Sequence, residues 1–277
     1  MFEEKLIPLD IWISQFIDWL VEGYRWFFQA IKWPVDVTLI GMENGLQATP
    51  PLIIIAIMVL IAWKASGVRL AILTAATMFF IGFLGLWEDT MITLAMVFSS
   101  VVFCTIVGLP LGICAGRNDR FEAILRPILD GMQTTPAFVY LVPIVMLFSI
   151  GNVAGVLATI VFALPPIIRL TALGIRQVHP ELVEAAQAFG ATGMQVLVKV
   201  QIPLALPTIM AGLNQTMMMA LSMVVIAALI GAGGLGAPVV LGLNTLDIGL
   251  ATIGGLAIVL IAIVLDRITQ SLGSQKN

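Results

Sequence analysis

The residues able to do covalent or acid–base chemistry are few, and their spacing excludes most of it. His179 is the only histidine. It stands directly before Pro180, where it opens a helix, and no nucleophile–base pair can be assembled around it. Cys104 and Cys114 are ten residues apart in one apolar run. That spacing puts them on different helix faces, so they read as small apolar fillers and not as a disulfide or a metal pair. Gly231-Ala232-Gly233-Gly234-Leu235-Gly236 fits G-x-G-x-x-G, but it follows an apolar helix and not a strand opening a βαβ unit. It reads as a flexible bend where helices approach closely, not as a dinucleotide site. The G-x-x-x-x-G-K-S/T loop that holds nucleotide phosphates is missing. No metal-ligand cluster is present, and nothing points to nucleic acid. The chain is not itself an enzyme.

What remains is a surface. Residues 180–207, PELVEAAQAFGATGMQVLVKVQIPLALP, form the longest polar interruption in a hydrophobic sequence. Pro180 suits the first turn of a helix, where its missing N–H is not needed. Glu181 and Glu184 lie near the positive end of the helix dipole. Gly190 can take the left-handed conformation that ends a helix. Thr192, with Gln195 three residues on, fits a capping box opening a second helix. Pro203 and Pro207 are expected to close the segment by withholding backbone donors. Leu182, Val183, Ala185, Ala186, Ala188 and Phe189 surround only two carboxylates. Such a face either packs on its own bundle or docks in a groove of a soluble partner.

The elements that position this loop are membrane spans. The chain has 277 residues, 60% of them hydrophobic and 10% charged, and a span needs about 20 mostly apolar residues. Seven spans are expected: Leu52–Trp63, Leu70–Trp87, Thr90–Gly116, Thr135–Ile150, Val153–Ala172, Thr208–Ile230 and Ile248–Leu265. A charged loop is expected between residues 117 and 130. Glu3 and Glu4, with no basic start before a compact apolar run, argue against a cleavable signal peptide.

Ahead of the spans, Asp10, Ser14, Asp18, Glu22, Arg25, Gln29 and Lys32 make a polar stripe over residues 9–33. Trp12, Trp19, Trp26 and Trp33 recur every seven residues beside it. The pattern suits a helix lying in the membrane plane, since indole prefers that boundary. A spanning helix would have to bury five charges, and the seven-residue period also suits a dimerising coiled coil. Pro34 is expected to end this element, and Gly41–Pro51 to be a linker.

Cations set the orientation. Lys64, Arg69, Arg117, Arg120, Arg126, Arg169, Arg176, Lys199, Arg267 and Lys276 all fall on or beside alternate loops, on the side of the 176–207 segment. The opposite loops carry Glu88, Asp89 and Asp247 and no base. The amino terminus is therefore expected outside and the carboxyl terminus inside. No Asp, Glu, Lys or His lies well inside an expected span, and Arg169 is close enough to the cytoplasmic end to snorkel. Nothing in the chain supplies energy for uphill transport.

Glu184-Ala185-Ala186, three residues, Gly190, nine residues, Val200, one residue and Ile202-Pro203 together resemble the EAA loop of bacterial ABC importer permeases. Val200 stands where isoleucine is usual and Ile202 where leucine is usual. Met132–Tyr140 (MQTTPAFVY), Ala163–Thr171 (ALPPIIRLT) and Asn214–Val225 (NQTMMMALSMVV) running into Ile230–Gly236 resemble the permease of glycine betaine/proline importers. The similarity covers roughly residues 88–270.

This resemblance implies an all-α polytopic membrane protein with the type I (MetI-like) fold, in a bacterial inner (plasma) membrane. It divides the chain into an external amphipathic segment (1–49), two accessory helices (50–87), a permease core (88–270) and a cytoplasmic tail (271–277). It implies a second permease copy, two cytoplasmic ATPases that bind ATP and magnesium, and a separate external binding protein for quaternary ammonium osmolytes. Glu184, Ala185, Ala186 and Gly190 inherit the coupling role, with Leu182, Phe189 and Pro203 beside them. Choline or carnitine as cargo, an ATP-independent channel and a membrane scaffold are the competing expectations.

Overall fold

A computed structural model describes residues 9–274, which fold as helices with no strand among them. In order these are α1 (Leu9–Gly23), α2 (Arg25–Ala48), α3 (Pro51–Ser66), α4 (Val68–Phe83), α5 (Trp87–Arg117), α6 (Asp119–Thr134) and a 3-10 turn (Ala137–Tyr140). After them come α7 (Leu141–Phe148), α8 (Asn152–Arg176), α9 (Pro180–Ala188), α10 (Gly193–Val196), α11 (Ile202–Ala228), α12 (Gly236–Thr245) and α13 (Ile248–Ser274). Glu3, Glu4 and Lys276 lie outside the described residues.

Small residues at helical spacing build the centre. A side chain at Gly108, Gly112 or Gly116 of α5 would sit 2.3, 2.5 or 2.9 Å from Ile167, Thr171 or Ile175 of α8. Both partner rows advance by four residues, so the two helices run side by side at backbone contact. On an adjacent face of α8, Gly174 meets Ala205 and Thr208 of α11, and Gly212 of α11 meets Leu170. Lipid tails are as apolar as leucine, so close packing rather than water exclusion holds such helices together.

Among the described residues, four helices are long and apolar enough to cross a membrane: Trp87–Arg117, Asn152–Arg176, Gly193–Ala228 and Ile248–Ser271. Two further spans arise if each bent pair is counted as one, α2 with α3 (108°) and α6 with the 3-10/α7 limb (104°), and α4 is a shorter apolar helix. The expected span Thr135–Ile150 is thus one limb of a bent pair. Its helical part, residues 137–148, rises only about 18 Å, against about 30 Å of hydrocarbon.

Five sequence expectations are corrected. The stretch 9–33 is two helices broken at Tyr24. Pro34 does not end the second, nor is Gly41–Pro51 a linker: α2 runs to Ala48. It continues because Val35 and Leu39 are buried among Ala95, Met96, Phe148 and Val156, burial that outweighs the donor missing at proline. The charged stretch after Arg117 is the helix α6, opened by Asn118, whose side chain accepts from the amides of Arg120 and Phe121. Pro203 and Pro207 do not close the loop segment either, since both lie inside α11. A π turn over Leu197–Gln201, with the Ile202 amide bonded to the Leu197 carbonyl, widens the helix just before Pro203. That widening relieves the clash a proline ring makes with the preceding turn.

The bundle has two distinct ends. At one, the Gly151 amide bonds the Ile230 carbonyl at 3.1 Å, the Gly233 amide the Asn152 side chain at 2.7 Å and the Leu235 amide the Thr93 hydroxyl at 2.8 Å. The bend expected at 231–236 is therefore a tight one: a Cβ on Gly234 (φ +82°) would sit 2.6 Å from the Thr93 hydroxyl. At the other end, the Arg176 guanidinium bridges Asp119 (2.7 Å) and Glu122 (2.8 Å), and Arg169 pairs with Asp130.

Candidate functional site

The loop between α8 and α11 projects from this cation-rich end. Pro180 is the first residue of α9, Glu181 lies in its first turn, and no residue of the helix is buried. Glu184 and Ala185 are exposed and Ala186 half-buried. Leu182 is 45% exposed and Phe189, just past the end of the helix, 94%. Among the described residues neither Glu181 nor Glu184 enters an ion pair. The surface is apolar at its centre and acidic toward its start.

Local chemistry fixes the shape of this knob. The Ala191 amide bonds the Ala186 carbonyl (3.0 Å), and the Gly190 amide bonds the Gln187 carbonyl (2.9 Å). This is a Schellman ending with Gly190 at φ +82°, a left-handed backbone that glycine adopts without penalty. Two residues later the capping box is complete: the Gln195 amide donates to the Thr192 hydroxyl, and the Thr192 amide to the Gln195 side chain at 2.8 Å. One helix stop and one helix start, two residues apart, set the angle between α9 and the helix entering the bundle.

The knob is seated on the bundle without being absorbed by it. Val183 and Gln187 of α9 share a small crevice with Gly116 and Arg117 of α5 and with Gly193, Val196 and Gln201. Val196 and Leu197 are buried. The face bearing Leu182, Ala185 and Phe189 is left open. Six of the expected site residues, Leu182, Glu184, Ala185, Ala186, Phe189 and Gly190, therefore form one contiguous projection. Pro203 does not belong to it, because it occupies the first turn of α11, after the π turn.

Sequence reasoning missed the support beneath. Helix α6 packs Leu129 into the core and lays Asp119, Glu122 and Asp130 against Arg176 and Arg169 of α8. Arg176 also donates to the Ala115 carbonyl at 2.8 Å, tying the ends of α5, α6 and α8 together. The signal was present: apolar residues at 121, 124, 125, 128, 129 and 132 recur with helical period behind a good N-cap asparagine.

Known proteins resemble this chain in sequence and fold. A family model described as "Binding-protein-dependent transport system inner membrane component" matches residues 108–275. The chain is 56% identical over 272 residues to the Escherichia coli (strain K12) glycine betaine/proline betaine transport system permease protein ProW, covering 98% of this chain and 77% of that protein. It is 45% identical over 270 residues to the Bacillus subtilis (strain 168) glycine betaine transport system permease protein OpuAB, covering 98% and 96%. An inward-facing structure of the MetNI methionine ABC transporter superposes with a TM-score of 0.61 at 26% identity, covering 72% of this chain and 98% of that one. The chain belongs to the inner-membrane components of binding-protein-dependent transport systems, the permease subunits of ABC transporters.

Proposed function

We propose that this chain is the permease of an importer for glycine betaine or a closely related quaternary ammonium solute. In this reading α9 is the element through which a cytoplasmic ATPase drives it. The observation that carries the coupling role is the exposed, apolar projection Leu182–Gly190 on an end of the bundle rich in arginine. Similarity over nearly the whole chain to two permeases named for glycine betaine supports the cargo. Cytoplasmic loops carry the excess of Lys and Arg, so the end bearing Arg117, Arg169, Arg176 and α9 faces the cytoplasm. Helix α1, with Trp12 and Trp19 exposed, then lies at the outer interface.

Two copies would frame the path, with an ATPase under each α9 and a separate binding protein outside. ATP and magnesium would act on the ATPase alone. Closure of the ATPase pair would draw the two α9 knobs together, and the rigid corner at Gly190 would pass that movement through α10 into α11. The test is reconstitution of the chain with its ATPase and binding protein in liposomes. Uptake of labelled glycine betaine should require ATP on the ATPase side. Uptake that proceeds without nucleotide would refute the reading, as would preference for a solute with no quaternary ammonium.

A further inference from the structure

Away from their ends, the exposed faces of the other apolar helices are mostly aliphatic or aromatic. They carry Ile57 and Leu60 on α3, Ile72 and Phe79 on α4, Ile106 on α5, and Val259 and Ile263 on α13. Helix α11 is different. Beyond Pro203 and Leu204 in its first turn, its exposed positions are 211, 215 and 222, a spacing that places Ala211, Gln215 and Ser222 on one narrow stripe. The Ser222 hydroxyl is turned back onto the Met218 carbonyl at 3.0 Å, while Gln215 has no hydrogen-bond partner among the described residues.

Beside the stripe, a groove of about 560 Å³ runs between α11 and α13, lined among others by Met210, Asn214, Gln215, Thr269 and Gln270. A polar chain flanks it. Asn214 donates to the Asp266 carboxylate at 2.9 Å, Gln270 donates to the same oxygen at 2.8 Å, and the Thr269 hydroxyl donates to the Asn214 side-chain carbonyl.

Depth decides what can cover this face. At 1.5 Å per residue, Gln215 lies about 20 Å and Ser222 about 9 Å from the end of α11 at Ala228, both within the hydrocarbon thickness. A carboxamide with no partner is costly in lipid, because nothing there can bond it. Polar groups at such depth face a bundle interior or a water-filled cavity. We infer that the Ala211–Gln215–Ser222 stripe, with the adjoining Asn214–Asp266–Gln270 cluster, is a wall of the aqueous path along which the cargo crosses. The one carboxylate in the wall, Asp266, suits a solute whose head is a permanent cation. This rests on the permease reading above and adds to it which face of the subunit meets the solute.

The test uses the full transporter in liposomes, with Cys114→Ser as parent; Cys104 is buried and stays. Gln215→Cys and Ser222→Cys are treated with 2-(trimethylammonium)ethyl methanethiosulfonate, a thiol reagent that is permanently charged and water-borne. Ile57→Cys is the lipid-facing control. Both α11 cysteines should react at least about tenfold faster than the control, and uptake should fall as they do. Reaction no faster than at Ile57→Cys would overturn the assignment. So would a disulfide between the two copies at position 215 in every nucleotide state without labelling, because that outcome makes the stripe a closed subunit contact. ATP-driven uptake by the parent is measured separately. Where the parent imports and labelling fails, only the wall falls; where the parent does not import, the functional reading itself has failed.

Discussion

Replacing Gly190 with valine places a β-branched residue at φ +82°, a backbone conformation where an L side chain crowds its own carbonyl. The cost is about 1–2 kcal/mol for an ordinary residue, with valine at the upper end. Among the described residues nothing beyond its chain neighbours lies within 4 Å of where the new Cβ would be, so the penalty is conformational and not a matter of space. About 2 kcal/mol corresponds to a roughly thirty-fold shift away from the native corner. The variant would relieve that strain by leaving the left-handed region, losing the Ala191–Ala186 and Gly190–Gln187 bonds and swinging Phe189 and Leu182 off their heading. Membrane insertion should be unchanged, since the corner is outside the apolar core. ATP-driven uptake in proteoliposomes should fall by about tenfold or more, and the ATPase should co-purify poorly. Gly190→Asn is the control, because asparagine tolerates the left-handed region. It should keep most of the activity. Normal uptake by Gly190→Val would refute the reasoning, and so would equal loss in both variants, which would point to bulk at a partner contact.

Phe189→Ala should leave thermal stability within about 0.5 kcal/mol, because a side chain 94% exposed buries nothing in this chain. The same change should sharply reduce retention of the ATPase on affinity-purified permease. Gly112→Ala inserts a methyl 2.5 Å from the Thr171 Cβ and 2.8 Å from the Ile168 carbonyl, an overpacking worth about 1–3 kcal/mol. It should appear as a lower melting temperature in detergent, and an unchanged one would contradict the close α5–α8 packing. Arg176→Ala leaves Asp119 and Glu122 without the guanidinium that holds both. Faster amide exchange across residues 119–130, with the α8 centre still protected, would show α6 released.

What the sequence made legible was local or strongly periodic. Pro180, the glycine at 190 and the Thr192/Gln195 pair fold as expected because stops and caps are decided within a few residues. The long apolar helices α5, α8 and α13 were equally readable, and so was the shared end of Arg117 and Arg176. What failed was the treatment of proline and charge as breakers. Pro34 sits inside α2 because Val35 and Leu39 find a core that lies far along the chain. Pro203 is carried by a π turn that no propensity announces. The charges of α6 looked like a solvated loop because their partners, Arg169 and Arg176, come about forty to sixty residues later. The same distance hid the Asn214–Asp266 pair, whose members belong to different helices.

The central claim is that a protruding apolar knob on the cytoplasmic side receives the work of a separate ATPase. An added cysteine, Ala185→Cys, in the Cys114→Ser parent, whose remaining Cys104 is buried, tests it most directly when exposed to a membrane-impermeant maleimide. Inverted membrane vesicles stripped of the ATPase should label, restoring the ATPase should block the reaction, and intact right-side-out cells should not label. Labelling from the outer face, or labelling that the ATPase leaves untouched, would contradict the account.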